Sequence, residues 1–413
     1  MNVRRSAGAL AAVIVIAGAA PAVAASPSAS PSVAIPDGLY GTTDPTYDGV
    51  WRQSLALLAQ NAVGVEPADK AVAWLAGQQC ANGAFAAFRA DTAKPCAAKL
   101  MVDTNSTAAA VQALATLTAT YDSEVKKAVT WLKSIQNADG GWGYSPGGAS
   151  DANSTSVVIG ALTDAGVTVP NLRKDGKSPD DALLKLALPC DGTDAGAFAY
   201  QPDKKGGLTA NADATAAAVL GISGESLTGS RQDDAPSPAG CEKPAGSLPE
   251  QAGTNGALWL AKAMAKDGHL TSALPGAKAQ PDYGNTADAI VALSTEGLHD
   301  QAAAPLHWLE SHSKQWAAQS GPAAYAQLVF VATTAKGGDV HDFGGQDLVT
   351  LLNATGPTPR SIDEPQTAGP NDGAASDRHG GALNVAWPVG GALLIAAIAA
   401  FVLTARGRKR RQS

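Results

Sequence analysis

The sequence predicts an all-α protein built as a closed double ring of six inner and six outer helices. Three observations carry that prediction. A polar opening, Asp103-Thr-Asn105-Ser106-Thr107, recurs as Asp151-Ala-Asn153-Ser154-Thr155, Asn211-Ala-Asp213-Ala-Thr215 and Asp282-Tyr283-Gly-Asn285-Thr286, each before a small apolar run. Repetition at this spacing is the signature of a stacked array of like units. Trp-Leu pairs mark a second set of helices, at Trp74-Leu75, Trp131-Leu132, Trp259-Leu260 and Trp308-Leu309. No period-two stretch long enough for a sheet is present.

The second repeat shows the unit most plainly. Ala108–Leu117 is small and largely apolar on every side, which suits a helix buried all round. From Glu124 to Gln136, Val125, Ala128, Val129, Leu132 and Ile135 fall at helical spacing, with Lys126, Lys127 and Lys133 opposite. That is one inner and one outer helix. Tyr47–Ala62 reads as the first inner helix and Tyr325–Thr334 as the last, its polar opening lost. The outer helices read Glu66–Gln79, Glu124–Gln136, Pro179–Leu188, Ala252–Lys266, Ala302–Ala317 and Gly345–Asn353.

Around this ring the sequence lays out six segments. Residues 1–24 carry Arg4 and Arg5, an apolar run and Ala22-Val-Ala24, the pattern of a secretory signal peptide. Residues 25–44 form a Ser/Pro-rich leader, 45–355 the ring, and 356–384 a flexible stalk with a coil span on the order of 30 Å. Residues 385–405 are uncharged and long enough to span a bilayer. The basic tail 406–413 follows and stays cytoplasmic, which places the large domain outside the cell as a single-pass membrane protein. Removing the two arginines of the signal peptide and the five basic residues of the tail from the net charge of -7 leaves a body of about -14. Such a body disfavours nucleic acid and anionic lipid as partners. Cys80, Cys96, Cys190 and Cys241 in an exported chain suggest disulfides, and Cys80–Cys96 and Cys190–Cys241 are the nearest of three possible connectivities. The Pro/Gly/Ser/Asp-rich stretch Ser226–Leu248 reads as a surface loop. The six histidines are scattered singly, and no metal site is expected.

Trp131-Leu132-x-x-x-Gln136-x-x-x-Gly140-x-Trp142 resembles the QW motif of terpene cyclases such as squalene–hopene cyclase. Trp74-Leu75-x-x-x-Gln79-x-x-x-Gly83-x-Phe85 matches it with Phe for Trp, and the third copy keeps only Gly196-x-Phe198. The resemblance covers roughly residues 45 to 355 and implies the α6/α6 toroid. Squalene cyclases, prenyltransferase β subunits, complement thioester domains and the cobalamin carriers intrinsic factor and transcobalamin share that toroid. It also implies where chemistry would sit. In squalene–hopene cyclases the opening looks like Asp-x-Asp-Asp-Thr-Ala; here its inner places hold Asn105-Ser106, Asn153-Ser154, Asp213-Ala214 and Gly284-Asn285, with no acid pair. The zinc ligands of the prenyltransferases and the thioester motif are absent too. No catalytic residue, cofactor or metal is therefore expected.

What remains is a ring of polar groups at inner-helix N-termini: Asp103, Asn105, Ser106, Asp151, Asn153, Ser154, Asn211, Asp213, Asp282 and Asn285. Asn and Ser offer donors and acceptors together, and helix N-termini add free N–H groups. Aromatics in the adjoining turns, Phe85, Trp142, Tyr144, Phe198, Tyr200 and Tyr283, add flat surfaces, with Trp142, Tyr144 and Tyr283 expected at the ligand. The competing structural reading is plain. Asp, Asn and Ser before an apolar run are ordinary N-caps, and a QW aromatic is a wedge between repeats. The expectation is an outward-facing binding protein for a bulky polar small molecule, a corrinoid first, in uptake with a separate lid or transporter protein. Similarity to the cobalamin carriers supports it, although their β-rich second domain has no counterpart here. An enzyme of the cyclase/prenyltransferase type and a cell-surface protein–protein interaction module are the alternatives.

Overall fold

In a computed structural model of the chain, the described residues are 34–117, 119–236, 240–243, 249–272 and 279–360. The expected signal peptide, membrane-spanning segment and basic tail lie outside them, as do most of the leader and the stalk. Among the described residues no helix is long and apolar enough to cross a membrane.

These residues form an α/α toroid. The inner helices are α1 (Gly49–Ala62), α3 (Thr104–Ala115), α5 (Ala152–Asp164), α7 (Ala212–Ile222), α9 (Tyr283–Thr295) and α11 (Pro322–Thr334). The outer helices are α2 (Asp69–Gly77), α4 (Asp122–Ser134), α6 (Pro179–Leu184), α8 (Pro249–Met264), α10 (His299–Ser320) and α12 (Leu348–Asn353). Each inner helix packs on the next, and α11 packs back on α1, so the inner ring closes. The ends of the ring are stitched at that seam. The Gly41 N–H donates to the Thr355 carbonyl at 2.8 Å, the Tyr40 hydroxyl to the Pro357 carbonyl at 2.9 Å, and Gln60 Nε2 to Asn353 Oδ1 at 2.7 Å. The outer helices α6 and α12 are shorter than the pattern suggests. Past Leu184, Ala187 instead bridges to Phe198.

The repeated residues explain the geometry. Asp103, Asp151, Asn211 and Asp282 are N-caps whose side chains accept the backbone N–H of the third helical residue, at 2.6, 2.7, 2.8 and 3.1 Å. Each such cap is typically worth about 1 kcal/mol. The Thr four residues on ties each helix to the turn before it: the hydroxyls of Thr107, Thr155, Thr215 and Thr286 accept the N–H of Phe85, Trp142, Phe198 and Leu270. Gly83 and Gly140 have positive φ and press onto the backbone of Lys127 and Ser178 in the next repeat, where no side chain fits. Cys80–Cys96 and Cys190–Cys241 are disulfides.

The segment expected to be a surface loop differs in its first part. Residues 226–235 run across the C-terminal ends of the inner helices. The Leu227 N–H donates to Gln112 Oε1 of α3 at 2.9 Å, and the Ala235 N–H to the Gly297 carbonyl beyond α9 at 3.0 Å. The Arg231 guanidinium donates to the carbonyls of Thr333, Thr334 and Ala335 at the end of α11, at 3.0, 2.9 and 2.7 Å. Those orphan carbonyls need donors, and an Arg fork supplies several at once. Gly160 of α5 admits this crosspiece: a Cβ there would stand 2.8 Å from the Glu225 carbonyl oxygen and the Ser226 Cα.

Candidate functional site

With the far end crossed by residues 226–235, the N-terminal end of the inner ring is the open mouth. Beyond its first turns each inner helix is almost wholly buried; Ala108–Val111 of α3 and Ala289–Ile290 of α9 are fully so. Partial exposure returns near the helix starts, in one register. The second residues of α3, α5, α7, α9 and α11 are Asn105, Asn153, Asp213, Gly284 and Ala323, and all five are half-buried. One turn deeper stand Ala109, Val157, Ala217, Asp288 and Gln327. The first two are buried, while the last three keep contact with solvent. The mouth is therefore a shallow well, deepest beside α7, α9 and α11, and one helical turn (about 6 Å) separates its two layers.

The hydrogen bonds in this well run one way. Asn153 Nδ2 donates to Asp213 Oδ2 at 2.6 Å, from α5 to α7. Gln327 Nε2 donates to Asp288 Oδ1 at 2.9 Å, from α11 to α9. The amide donors are thus engaged with the acids. Asn105 Oδ1 and Asn153 Oδ1 are out of reach of solvent and have no donor. Burial pushes the Asp288 carboxyl up to about 7; the negative field of Asp213 adds to this, the Gln327 bond opposes it, and Asp282 adds a little more. Burial likewise raises Asp213, against the stabilising bond from Asn153. Both side chains are enclosed by protein atoms yet touched by water, as groups at the bottom of a well must be.

The other expected site residues fall elsewhere. Asp103, Asp151, Asn211 and Asp282 are spent as caps. Burial lifts Asp103 and Asp151 to about 6, opposed by the bonds from Ser106 and Ser154. The Ser154 hydroxyl donates to Asp151 Oδ2 at 2.9 Å, and Asn285 Nδ2 to Asp282 Oδ2 at 2.9 Å. Ser106 is buried behind its own cap. Trp142 is fully buried, its indole N–H donating to the Leu132 carbonyl at 2.8 Å; it is a wedge between repeats and does not reach the mouth. Phe85 and Phe198 are buried in the same way. Tyr144 is half-buried and Tyr200 is 38 % exposed; their carbonyls accept the first helical N–H of α3 and α5. Tyr283 does line the rim. Its ring stacks on Trp316 at 5.4 Å and lies 5.0 Å from Trp308, which stacks in turn on His312 at 4.9 Å. Two shallow surface hollows, around Asn82 and Lys126 and around Leu188 and Asp194, include none of these residues.

Sequence reasoning missed Asp288, Gln327 and Trp316. The polar openings contain no adjacent acid pair. The fold nevertheless brings Asp288 into the field of Asp213 from a neighbouring helix. A carboxylate inside the apolar run Ala287-Asp288-Ala289-Ile290 is the signal that could have found it.

The fold and mouth define an α/α toroid with a single open well. A family described as the Prenyltransferase alpha-alpha toroid domain matches residues 44–188. Among solved structures, a protein from Actinoplanes is similar at 14% identity, covering 73% of this chain and 80% of that one with a TM-score of 0.43. A variant of the type II terpene cyclase MstE from Scytonema, in complex with the substrate geranylgeranyl dihydroxybenzoate, is similar at 16% identity. It covers 74% of this chain and 80% of that one, with a TM-score of 0.44. No curated protein matches the chain.

Proposed function

We propose that the toroid holds a bulky polar small molecule over its mouth, with a corrinoid as the leading candidate. The observation that carries this reading is the pair of enclosed acceptors, Asn105 Oδ1 and Asn153 Oδ1, that lack any donor. An unmatched buried acceptor costs about 1–3 kcal/mol, and turning these half-buried amides outward to a ligand bearing amide or hydroxyl donors removes that cost. Corrinoids carry a fringe of carboxamides and are broad enough to rest on the rim. Burial of the inner helices past their first turns also supports holding over converting. Polyene cyclisation needs a dry chamber that excludes water from its intermediates, and the ring interior is filled by side chains. The disulfides and the leader and tail sequences fit a protein exported and anchored at the cell surface, handing its ligand to a lid or transporter partner.

The test is titration calorimetry and visible spectroscopy of the full-length protein with cyanocobalamin. Asn105→Leu combined with Asn153→Leu removes both acceptors and is expected to weaken binding by about tenfold or more. No heat and no spectral change at near-millimolar ligand overturns the corrinoid candidate. A second reading, acid-initiated chemistry on an isoprenoid, is favoured by one observation: burial, with the charge of Asp213 adding to it, raises Asp288 to about 7. Incubation with squalene and isoprenoid diphosphates followed by product analysis decides it. Turnover abolished by Asp213→Asn establishes the enzyme; no product removes it.

A further inference from the structure

The five inner-helix starts differ in one respect that the repeat does not require. On α3, α5 and α7 the polar group stands at the second helical residue, above a buried or small side chain. On α9 the order is inverted: Gly284 leaves the upper place empty, and the acid, Asp288, stands one turn below on the same face. The emptied place has room for one methyl-sized group in ordinary van der Waals contact. A Cβ on Gly284 would meet nothing nearer than 3.7 Å, the amide of Gln327, with Trp316 Cζ2 next at 3.9 Å. The notch therefore has a carboxyl at its floor, a carboxamide on one wall and an indole on the other, with Tyr283 stacked on that indole.

We infer that this notch is a subsite for an organic cation, a protonated amine or a guanidinium borne on or beside a flat ring. The inference rests on the reading of the mouth as a small-molecule site and names the head group the mouth accepts. Three features converge on it. The notch offers the carboxyl acceptors of Asp288, and one N–H of each of the Asn153 and Gln327 amides is already engaged with Asp213 and Asp288. Among the described residues no lysine or arginine contributes to the field at either acid, whose charged neighbours there are acids themselves. An aromatic face beside an uncompensated carboxylate binds a cation by both its quadrupole and the charge.

A matched series tests it: benzylammonium, benzyl alcohol and benzoate share a ring and differ in head group. With the full-length protein, benzylammonium is expected to bind about tenfold or more tighter than benzyl alcohol, with benzoate weakest. Because burial raises Asp288 to about 7, so that it carries part of a proton in the free protein, ammonium binding is expected to expel about half a proton at neutral pH. Calorimetry in phosphate and in Tris reads that release, and affinity for benzylammonium rises with pH as the acids ionise. Asp288→Asn abolishes both the preference and the proton release. Gly284→Ala fills the notch without a clash and favours the helix, so it tests the space while leaving the fold intact.

Equal affinity for benzylammonium and benzyl alcohol, or a preference that survives both variants, overturns the inference. Cyanocobalamin binding without any ammonium preference also overturns it, and leaves the binding reading standing. Ammonium binding without cyanocobalamin binding supports the notch and removes the corrinoid. Silence from all four ligands overturns both.

Discussion

Replacing Asp288 by Asn is expected to make the protein more stable at neutral pH while disabling the well. The carboxyl is raised from its usual 3.8 to about 7, chiefly because burial strips water from the charged form. A tenfold change in an acidity constant corresponds to about 1.4 kcal/mol, so the whole rise amounts to about 4 kcal/mol, and to about 2 kcal/mol if water entering the well halves it. The sign follows from linkage. Between the unfolded and folded values the unfolded chain gives up its proton first, so stability falls as pH rises through that window and levels off above it. Asn is neutral throughout, keeps an oxygen for the Gln327 N–H, and relieves the field on Asp213. Urea unfolding followed by circular dichroism at about pH 4 and about pH 8 measures the effect. The variant is expected to match the wild type at the acid end and exceed it by about 2–4 kcal/mol at the basic end. A loss at the basic end would refute the reasoning, because it would mean that the carboxylate stabilises the fold in its charged form. A gain in stability joined to a loss of binding is the signature of a group retained for function.

Two further substitutions test the scaffold. Gly140→Ala adds a Cβ at φ 94° against the Ser178 carbonyl, and is expected to cost about 3 kcal/mol or more by thermal unfolding. An unchanged melting temperature would show that the turn does not press on α6. Arg231→Ala removes the donors to three carbonyls at the end of α11 and is expected to raise amide exchange across residues 226–235, leaving the mouth unaffected. Unaltered protection there would show that the crosspiece is held by its other contacts.

The ring itself was legible because its causes are local and repeated. Cap, small apolar helix, Trp-Leu, and glycine turn each leave a residue-level mark, and each mark recurs at the same place in the unit. The two disulfides followed from proximity in sequence and from the expected signal peptide. The crosspiece was not legible. Its composition is that of a loop, and its position depends on carbonyls of α11 about a hundred residues away. The acid pair escaped for the same reason. Asp213 and Asp288 belong to different repeats, and only closure of α7 against α9 gives them a common field. The aromatic rim shows the intermediate case. Trp308 announces itself as part of a Trp-Leu pair, but its role beside Tyr283 and His312 depends on how α10 leans on the start of α9.

The repeat also determines which of its own positions are free to recognise anything. The first residue of the opening must accept the N–H of the third helical residue. The Thr four places later must accept an N–H from the preceding turn. Residues so engaged cannot be exchanged for ligand contacts without unstitching the ring, which is why Asp103, Asp151 and Asp282 look like a site in the sequence and behave as joinery in the fold. The position between them carries no such duty, nor does the one a turn below it. Across five inner helices those two positions read Asn/Ala, Asn/Val, Asp/Ala, Gly/Asp and Ala/Gln. A strictly structural ring would fill them alike with small apolar residues, since a buried acid destabilises the fold and an unmatched amide does so as well. They instead hold two acids and three amides, on the end of the ring left open, which is where the proposed ligand would meet the protein.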